Sequence, residues 1–141
     1  MTLIYFRRYK EHLATHDPLT KLPNRTLSLD RLEQVQKGAK RTCHRHGVFL
    51  DLVGFTFVND GLGHDIGDQL LISVVERLRS TMRPHDAMAR FGGDEFAILC
   101  PYIGNEQTAL AIGARIQTAL DTPFLLKSME LMATASIGIT L

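Results

Sequence analysis

Residues 90–96 read Arg-Phe-Gly-Gly-Asp-Glu-Phe. Two adjacent glycines and two adjacent carboxylates stand between apolar segments, Ala87-Met88-Ala89 before and Phe96-Ala97-Ile98-Leu99-Cys100 after. Both flanks read as short buried strands, and a glycine-led link between them reads as a hairpin turn. Gly92 and Gly93 are expected to supply positive φ and to let a ligand approach the backbone. Asp94 and Glu95 then sit at the tip or just inside the second strand. Paired carboxylates on a rigid hairpin are costly unless a cation is held there. Taken alone, the hairpin also reads as a solvated acidic turn.

Asp51 is the second anomaly. It interrupts Val48-Phe49-Leu50-Asp51-Leu52-Val53, a near-continuous apolar run that reads as a central buried strand. A carboxylate inside such a strand needs a partner. With this strand beside the hairpin, Asp51 and Asp94 converge, and carboxylates meeting at strand ends hold a divalent cation for phosphoryl or nucleotidyl transfer. An Asp bonded to a backbone N–H at a strand edge is the alternative. The two anomalies together favour the metal. After Asp51, within Leu52-Val53-Gly54-Phe55-Thr56-Phe57-Val58-Asn59-Asp60, the strand followed by a tight turn is expected to leave backbone N–H groups outward, a cradle for phosphate. Asn59 and Asp68 flank a Gly-rich turn; an Asn/Asp pair can select guanine over adenine through its N1–H and N2–H₂ donors. Spacing alone favours ordinary turn and helix-capping roles for both.

The elements that must position these groups follow from periodicity. Leu3, Phe6, Tyr9 and Leu13 predict a helix over 3–16, broken by His16-Asp17-Pro18. Leu27, Leu29, Leu32 and Val35 predict a helix over 25–37, with Gly38 as its stop. Residues 40–46 read as a basic loop and 60–65 as turn material. Ile66, Leu70, Leu71, Val74, Val75, Leu78 and Met82 predict the strongest helix, about 66–82. The hairpin 87–100, a helix near 105–120 and a β-like run over 131–141 complete the chain. This order predicts an α/β sandwich, a mixed sheet covered by helices.

The chain of 141 residues, 45% hydrophobic, fits one domain with one core. A net charge of +1 gives no global field for nucleic acid or an anionic membrane. Cys43 and Cys100 have no framework spacing, which argues for free thiols in a reducing compartment. Cys43-His44-Arg45-His46 lacks a second ligand cluster and reads as a basic loop. No signal peptide and no membrane-length apolar run is visible. The start, Leu3 to Phe6 and then Arg7-Arg8, is consistent with the cut end of a longer parent.

Together these segments resemble the GGDEF domain family, the diguanylate cyclases. The match runs in order through Asp17-Pro-Leu-Thr-Lys-Leu-Pro-Asn-Arg25, Phe49-Leu-Asp-Leu52, Phe55 with Val58-Asn-Asp60, Gly63-His-Asp-Ile-Gly-Asp68, Arg83-Pro-His-Asp86, Arg90 to Phe96 and Ser136-Ile-Gly138. The resemblance covers 17–141, with 1–16 as a linker helix. It implies an α+β fold with a mainly antiparallel sheet, like nucleotidyl cyclases and polymerase palms. It implies condensation of two GTP into cyclic di-GMP by a cytoplasmic homodimer. It assigns Mg²⁺ or Mn²⁺ to Asp51, the Leu52 carbonyl and Asp94, with Glu95 as a further catalytic carboxylate suited to deprotonating the 3′-OH. Gly54, Phe55 and Thr56 would face the phosphates, Asn59 and Asp68 would read guanine, and His64, Gly92 and Gly93 would line the substrate site. Arg83 and Asp86 match an inhibitory site for product, which Arg115 would complete.

Three departures qualify the resemblance. Val53 stands where the family has a second acidic residue, and Thr56 where it has a lysine near the triphosphate. The chain also stops before a final helix and strand, so an exposed sheet edge and an incomplete phosphate clamp are expected. These departures support a second expectation: a GTP- or cyclic-di-GMP-binding regulatory module of a longer signalling protein, with a fused or partner phosphodiesterase (EAL) domain. The intact hairpin supports the cyclase.

Overall fold

The pleat of the first strand organises the molecule. In the computed structural model, which describes residues 2–38 and 45–140, β1 spans Arg45–Val53. Val48, Leu50 and Leu52 are buried, whereas Phe49, Asp51 and Val53 are exposed. Asp51 is therefore not a carboxylate inside a doubly covered strand, as the apolar run suggested. Successive side chains point to opposite faces. The core of this part of the sheet lies on one face only, so the even-numbered residues of the run are buried and the odd-numbered ones are not.

That core is built by two helices. In α4 (His64–Thr81), Ile66, Leu70, Leu71, Val74, Val75 and Leu78 recur at three- and four-residue spacing, and all are buried. Each such side chain contributes about 1.5–3 kcal/mol by leaving water. In α5 (Glu106–Asp121), Ala109, Ile112, Ile116 and Leu120 do the same. Asn105 caps α5: its Oδ1 accepts from the Thr108 N–H at 2.8 Å. Both helices begin and end within two residues of expectation.

The hairpin is β2 (Ala87–Arg90) and β3 (Glu95–Pro101). With β6 (Thr134–Ile139) it completes a four-stranded sheet in the order β2-β3-β1-β6. Every ladder is antiparallel, and the parallel component is an isolated bridge between Asn24 and Arg90.

Three elements depart from expectation. Residues 55–62, read as a tight turn followed by turn material, form a helix, α3 (Phe55–Leu62). Phe55 is buried and Val58 packs against the core, so one face anchored in the core outweighs the weak helix propensity of Asn59-Asp60-Gly61. Gly63, at φ 91°, separates α3 from α4.

The β-like run over 131–141 is divided. Leu131 closes a small hairpin of β4 (Phe124–Leu126) and β5 (Met129–Leu131). Its turn residues Lys127 and Ser128 have φ of 46° and 65°, a mirror-image turn made without the usual Asn or Gly. Arg77 holds this hairpin to α4. Its guanidinium lies 3.5 Å from the Phe124 ring centroid and donates to the carbonyls of Ala119, Thr122 and Pro123.

At the N-terminal end, α1 (Thr2–Thr15) stops before Asp17-Pro18, and Tyr9 and Leu13 of its apolar stripe are exposed. In α2 (Arg25–Gly38) Leu29 is exposed and Ser28 is buried, contrary to expectation, while Leu27 and Leu32 are half-buried. Cys43 and His44 lie outside the described residues; Cys100 is free and buried. No helix among the described residues is long and apolar enough to cross a membrane.

Candidate active site

The acidic residues gather at one end of the two central strands. Asp51 of β1 is directly opposite Glu95 of β3, and the Leu52 N–H donates to the Asp94 carbonyl at 3.0 Å. Directly opposed residues share a face, so Asp51 and Glu95 project together; both are exposed, and Asp94 is half-buried. On the other side of β1, Ser136 faces Asp51.

The hairpin tip differs from expectation. Neither Gly92 nor Gly93 has left-handed φ; the positive-φ glycines of the described chain are Gly54 and Gly63. The tip is folded around the Arg90 guanidinium instead. Its Nε donates to the Gly92 carbonyl at 3.0 Å and one terminal nitrogen donates to the Gly93 carbonyl at 2.8 Å. A side chain at Gly93 would meet nothing within 4 Å, so this glycine leaves bare backbone open to a ligand.

Arg90's other terminal nitrogen reaches both carboxylate oxygens of Asp17, at 2.9 and 3.0 Å. Asp17 also accepts from the Thr20 N–H and hydroxyl, each at 2.7 Å. Burial pushes the Asp17 carboxyl up, but the bonds from Thr20 and Arg90 outweigh it and hold it below its ordinary value.

After β1 the chain turns at Gly54, with φ 81°, and α3 begins. Its N-terminus has no side-chain cap. The cradle of outward N–H groups is thus the start of a helix rather than a turn, with the first-turn amides of Phe55 and Thr56 and the positive end of the helix dipole available to an anion. Phe55 is buried; Thr56 and Phe57 are exposed.

Asn59 lies where α3 packs on α4. Asn59 lies against Gly67, the residue before Asp68. Its Oδ1 is buried without a hydrogen-bond partner among the described residues, an omission that costs about 1–3 kcal/mol. Asp68 is exposed, and His64 is the exposed first residue of α4.

Asp51, Asp94 and the Leu52 carbonyl would offer all-oxygen donors, the type that suits Mg²⁺ or Mn²⁺. Among the described residues no group of three or more His, Cys, Asp or Glu side chains surrounds a single point. Two carboxylates with space for phosphate oxygens is how Mg²⁺ is usually held, since it retains waters and shares its shell with substrate. The residues present fit such an ion.

Comparison with known proteins agrees with this geometry. The family model described as "Diguanylate cyclase, GGDEF domain" matches residues 14–141. The chain belongs to the GGDEF domain family. It is 45% identical over 130 residues to the bifunctional diguanylate cyclase/cyclic di-GMP phosphodiesterase MucR of Pseudomonas aeruginosa, covering 92% of this chain and 19% of that protein. It is 39% identical to the cyclic di-GMP phosphodiesterase NbdA of the same organism, covering 92% of this chain and 16% of that protein. The corresponding figures for the diguanylate cyclase TpbB, also from P. aeruginosa, are 37%, 92% and 30%. The chain thus spans less than a third of each of these relatives.

Among solved structures, the isolated GGDEF domain of TpbB superposes with a TM-score of 0.79 at 34% identity, covering 88% of this chain and 73% of that one. The GGDEF domain of DgcB from Caulobacter crescentus, in complex with c-di-GMP, superposes at 0.80 with 27% identity, covering 89% and 76%.

In this GGDEF domain Arg83 and Asp86 lie on the turn before β2 and grip each other. The Arg83 guanidinium donates to Asp86 Oδ1 at 2.9 and 3.1 Å, and the Arg83 N–H donates to Oδ2 at 2.8 Å. One terminal nitrogen also reaches the Pro101 carbonyl at 2.8 Å. The hydrogen bond to Asp86 raises the Arg83 pKa. Arg115 of α5 is exposed, and its charge is felt at Cys100 together with those of Asp86 and Arg83. The residues that sequence reasoning left without a role are Asp17, Arg90 and Gly67. For the first two a signal existed, opposite charges inside two quoted motifs, but nothing in the sequence pairs them.

Proposed function

We propose that this chain binds GTP with Mg²⁺ or Mn²⁺ and condenses two GTP into cyclic di-GMP, the 3′-OH of each GTP attacking the α-phosphate of the other with release of two pyrophosphates. The observation that carries the proposal is the Leu52–Asp94 backbone bond. It sets the hairpin's first acid beside the residue after Asp51, two residues before the chain turns into α3. Carboxylates and an anion-seeking helix start therefore border one site. The ion, held by Asp51, the Leu52 carbonyl and Asp94, would neutralise phosphate charge. The α3 amides of Phe55 and Thr56 bind phosphate oxygens. Asn59 and Asp68 hold guanine, with Asp68 as acceptor for its N1–H and N2–H₂. His64, Gly92 and Gly93 border the nucleotide. Glu95, exposed opposite Asp51, is placed to take the proton of the attacking 3′-OH. Two GTP must meet, so a second copy supplies the other nucleotide. GTP as substrate implies a cytoplasmic location. Residues 1–16 act as a linker helix, and Arg83 with Asp86 receives product.

A second reading is favoured by Val53 and Thr56. Both are exposed at the mouth of the site, and neither carries charge. On this reading the domain binds GTP or cyclic di-GMP without turnover and regulates a longer protein. NbdA, a relative named for the phosphodiesterase reaction, is compatible with it.

The test is incubation of the full-length parent with GTP and Mg²⁺, with cyclic di-GMP read by mass spectrometry. Product that disappears in Asp94→Ala supports the cyclase. Tight GTP binding without product leaves the regulatory reading standing and refutes turnover.

A further inference from the structure

The contact between Asn59 and Gly67 leads from the proposed guanine site to a residue assigned no part in it. Gly67 is buried in the first turns of α4 and faces α3. A Cβ at this position would overlap Asn59 Oδ1 outright, lie 2.8 Å from its Cγ, and approach the Phe55 ring at 3.4 Å. Real Cβ contacts do not come this close, so any side chain at 67 must displace the Asn59 amide. Gly67 has no positive φ to explain its presence. In a helix interior glycine is also less favourable than alanine. The position is therefore glycine for the space it leaves.

Hydrogen bonds do not hold that amide: Oδ1 is buried with no partner among the described residues. Packing against Gly67 holds it instead. We infer that Gly67 is a positioning residue for guanine selection: its missing side chain lets Asn59 press its amide into α4, directly beside Asp68. The opposite end of the amide is then presented to the base, next to an acceptor-only carboxylate. Asn59 supplies the donor and Asp68 the acceptor, a pattern that guanine satisfies and adenine does not. This inference rests on the proposal that Asn59 and Asp68 hold guanine.

The test is a double-mutant cycle in the full chain with Gly67→Ala, Asn59→Ala and both together. Affinities for GTP, ITP (which lacks the 2-amino group) and ATP are measured by calorimetry, and thermal midpoints without nucleotide. Gly67→Ala is expected to weaken GTP binding about tenfold or more and to narrow the GTP preference over ATP. In the Asn59→Ala background the added methyl has room. There it is expected to change GTP affinity by less than about twofold and to leave the midpoint unlowered. Additive losses of GTP affinity, or an unchanged GTP preference in Gly67→Ala, overturn the positioning role while the guanine site stands. An Asn59→Ala protein that binds GTP as well as the parent removes the guanine reading and the inference with it. The midpoint series separates either result from simple loss of fold.

Discussion

Arg90 and Asp17, 73 residues apart in sequence, meet in an ion pair with contacts of 2.9 and 3.0 Å, each side chain about 15% exposed. The same guanidinium holds the carbonyls of Gly92 and Gly93. One planar cation thus joins the loop after α1 to the tip that carries Asp94. The backbone reinforces the connection, because the Arg90 N–H donates to the Pro23 carbonyl at 3.0 Å.

Arg90→Lys tests that connection. Lysine keeps the charge but is a point cation and cannot serve a carboxylate and two carbonyls in fixed directions. The substitution is expected to lower unfolding free energy by roughly 1–3 kcal/mol and to weaken nucleotide binding at the hairpin. Urea melts and GTP titrations check it. Unchanged values in both show that the fork geometry is idle.

Thr56 lies in the first turn of α3, among the amides proposed to hold phosphate. Thr56→Lys places a cation there and is expected to raise GTP affinity or turnover by about tenfold or more, given the usual strength of a charge-assisted bond to phosphate. Val53→Asp, made separately, restores an acid beside Asp51 and is expected to strengthen metal dependence. Mg²⁺ titrations of GTP binding read both. A Thr56→Lys protein no better than the parent shows that the helix start suffices.

Arg83 and Asp86 form an ion pair in which the Asp86 side chain is 2% exposed and the Arg83 side chain 32%. Removing one partner of such a pair strands a buried charge. Arg83→Ala is therefore expected to lower stability by about 3 kcal/mol, besides abolishing any cyclic di-GMP binding at this turn. Melts and product titrations on the same protein separate the two effects. A variant that keeps full stability shows that the pair contributes only to binding. Cys100 offers a second probe of the region. Burial pushes its thiol up to about 11, so alkylation at pH 8 is expected to spare it until the protein unfolds.

The sequence was legible where one local pattern decided the outcome. The 3-4 spacing of α4 and α5 and the apolar flanks of the hairpin each specify one element without outside help. Asp51 shows the limit. Its apolar neighbours are real, but whether a strand is covered on one face or two depends on helices elsewhere in the chain. α3 was missed because Asn59-Asp60-Gly61 is turn-like by propensity, and only packing of Phe55 and Val58 makes it helical. The β4–β5 turn was missed because Lys127 and Ser128 adopt left-handed φ that neither residue advertises. Among the candidate site residues, type and spacing singled out the acids, whereas Asn59 and Asp68 took a guanine role only from the family resemblance. The contacts around them, Arg90 with Asp17 and Asn59 with Gly67, join separate elements and are invisible to the periodicity of any one of them.

Asp17 ties the hairpin to pH. Its carboxyl titrates below the ordinary value in the folded protein and near 4 in the unfolded chain. A lowered folded pKa means that the unfolded chain binds the proton more readily. The stabilisation is therefore complete well above pH 4 and is lost as pH falls through the folded value. Asp17→Asn removes the charge with little change of shape. It is expected to destabilise the protein at pH 7, and the difference from the parent is expected to shrink as pH drops below about 4. Urea melts of both proteins across pH 2.5–7 measure it. A gap that stays constant over that range would mean that the Thr20 and Arg90 bonds do not depend on the Asp17 charge, and the hairpin would not be held by this ion pair.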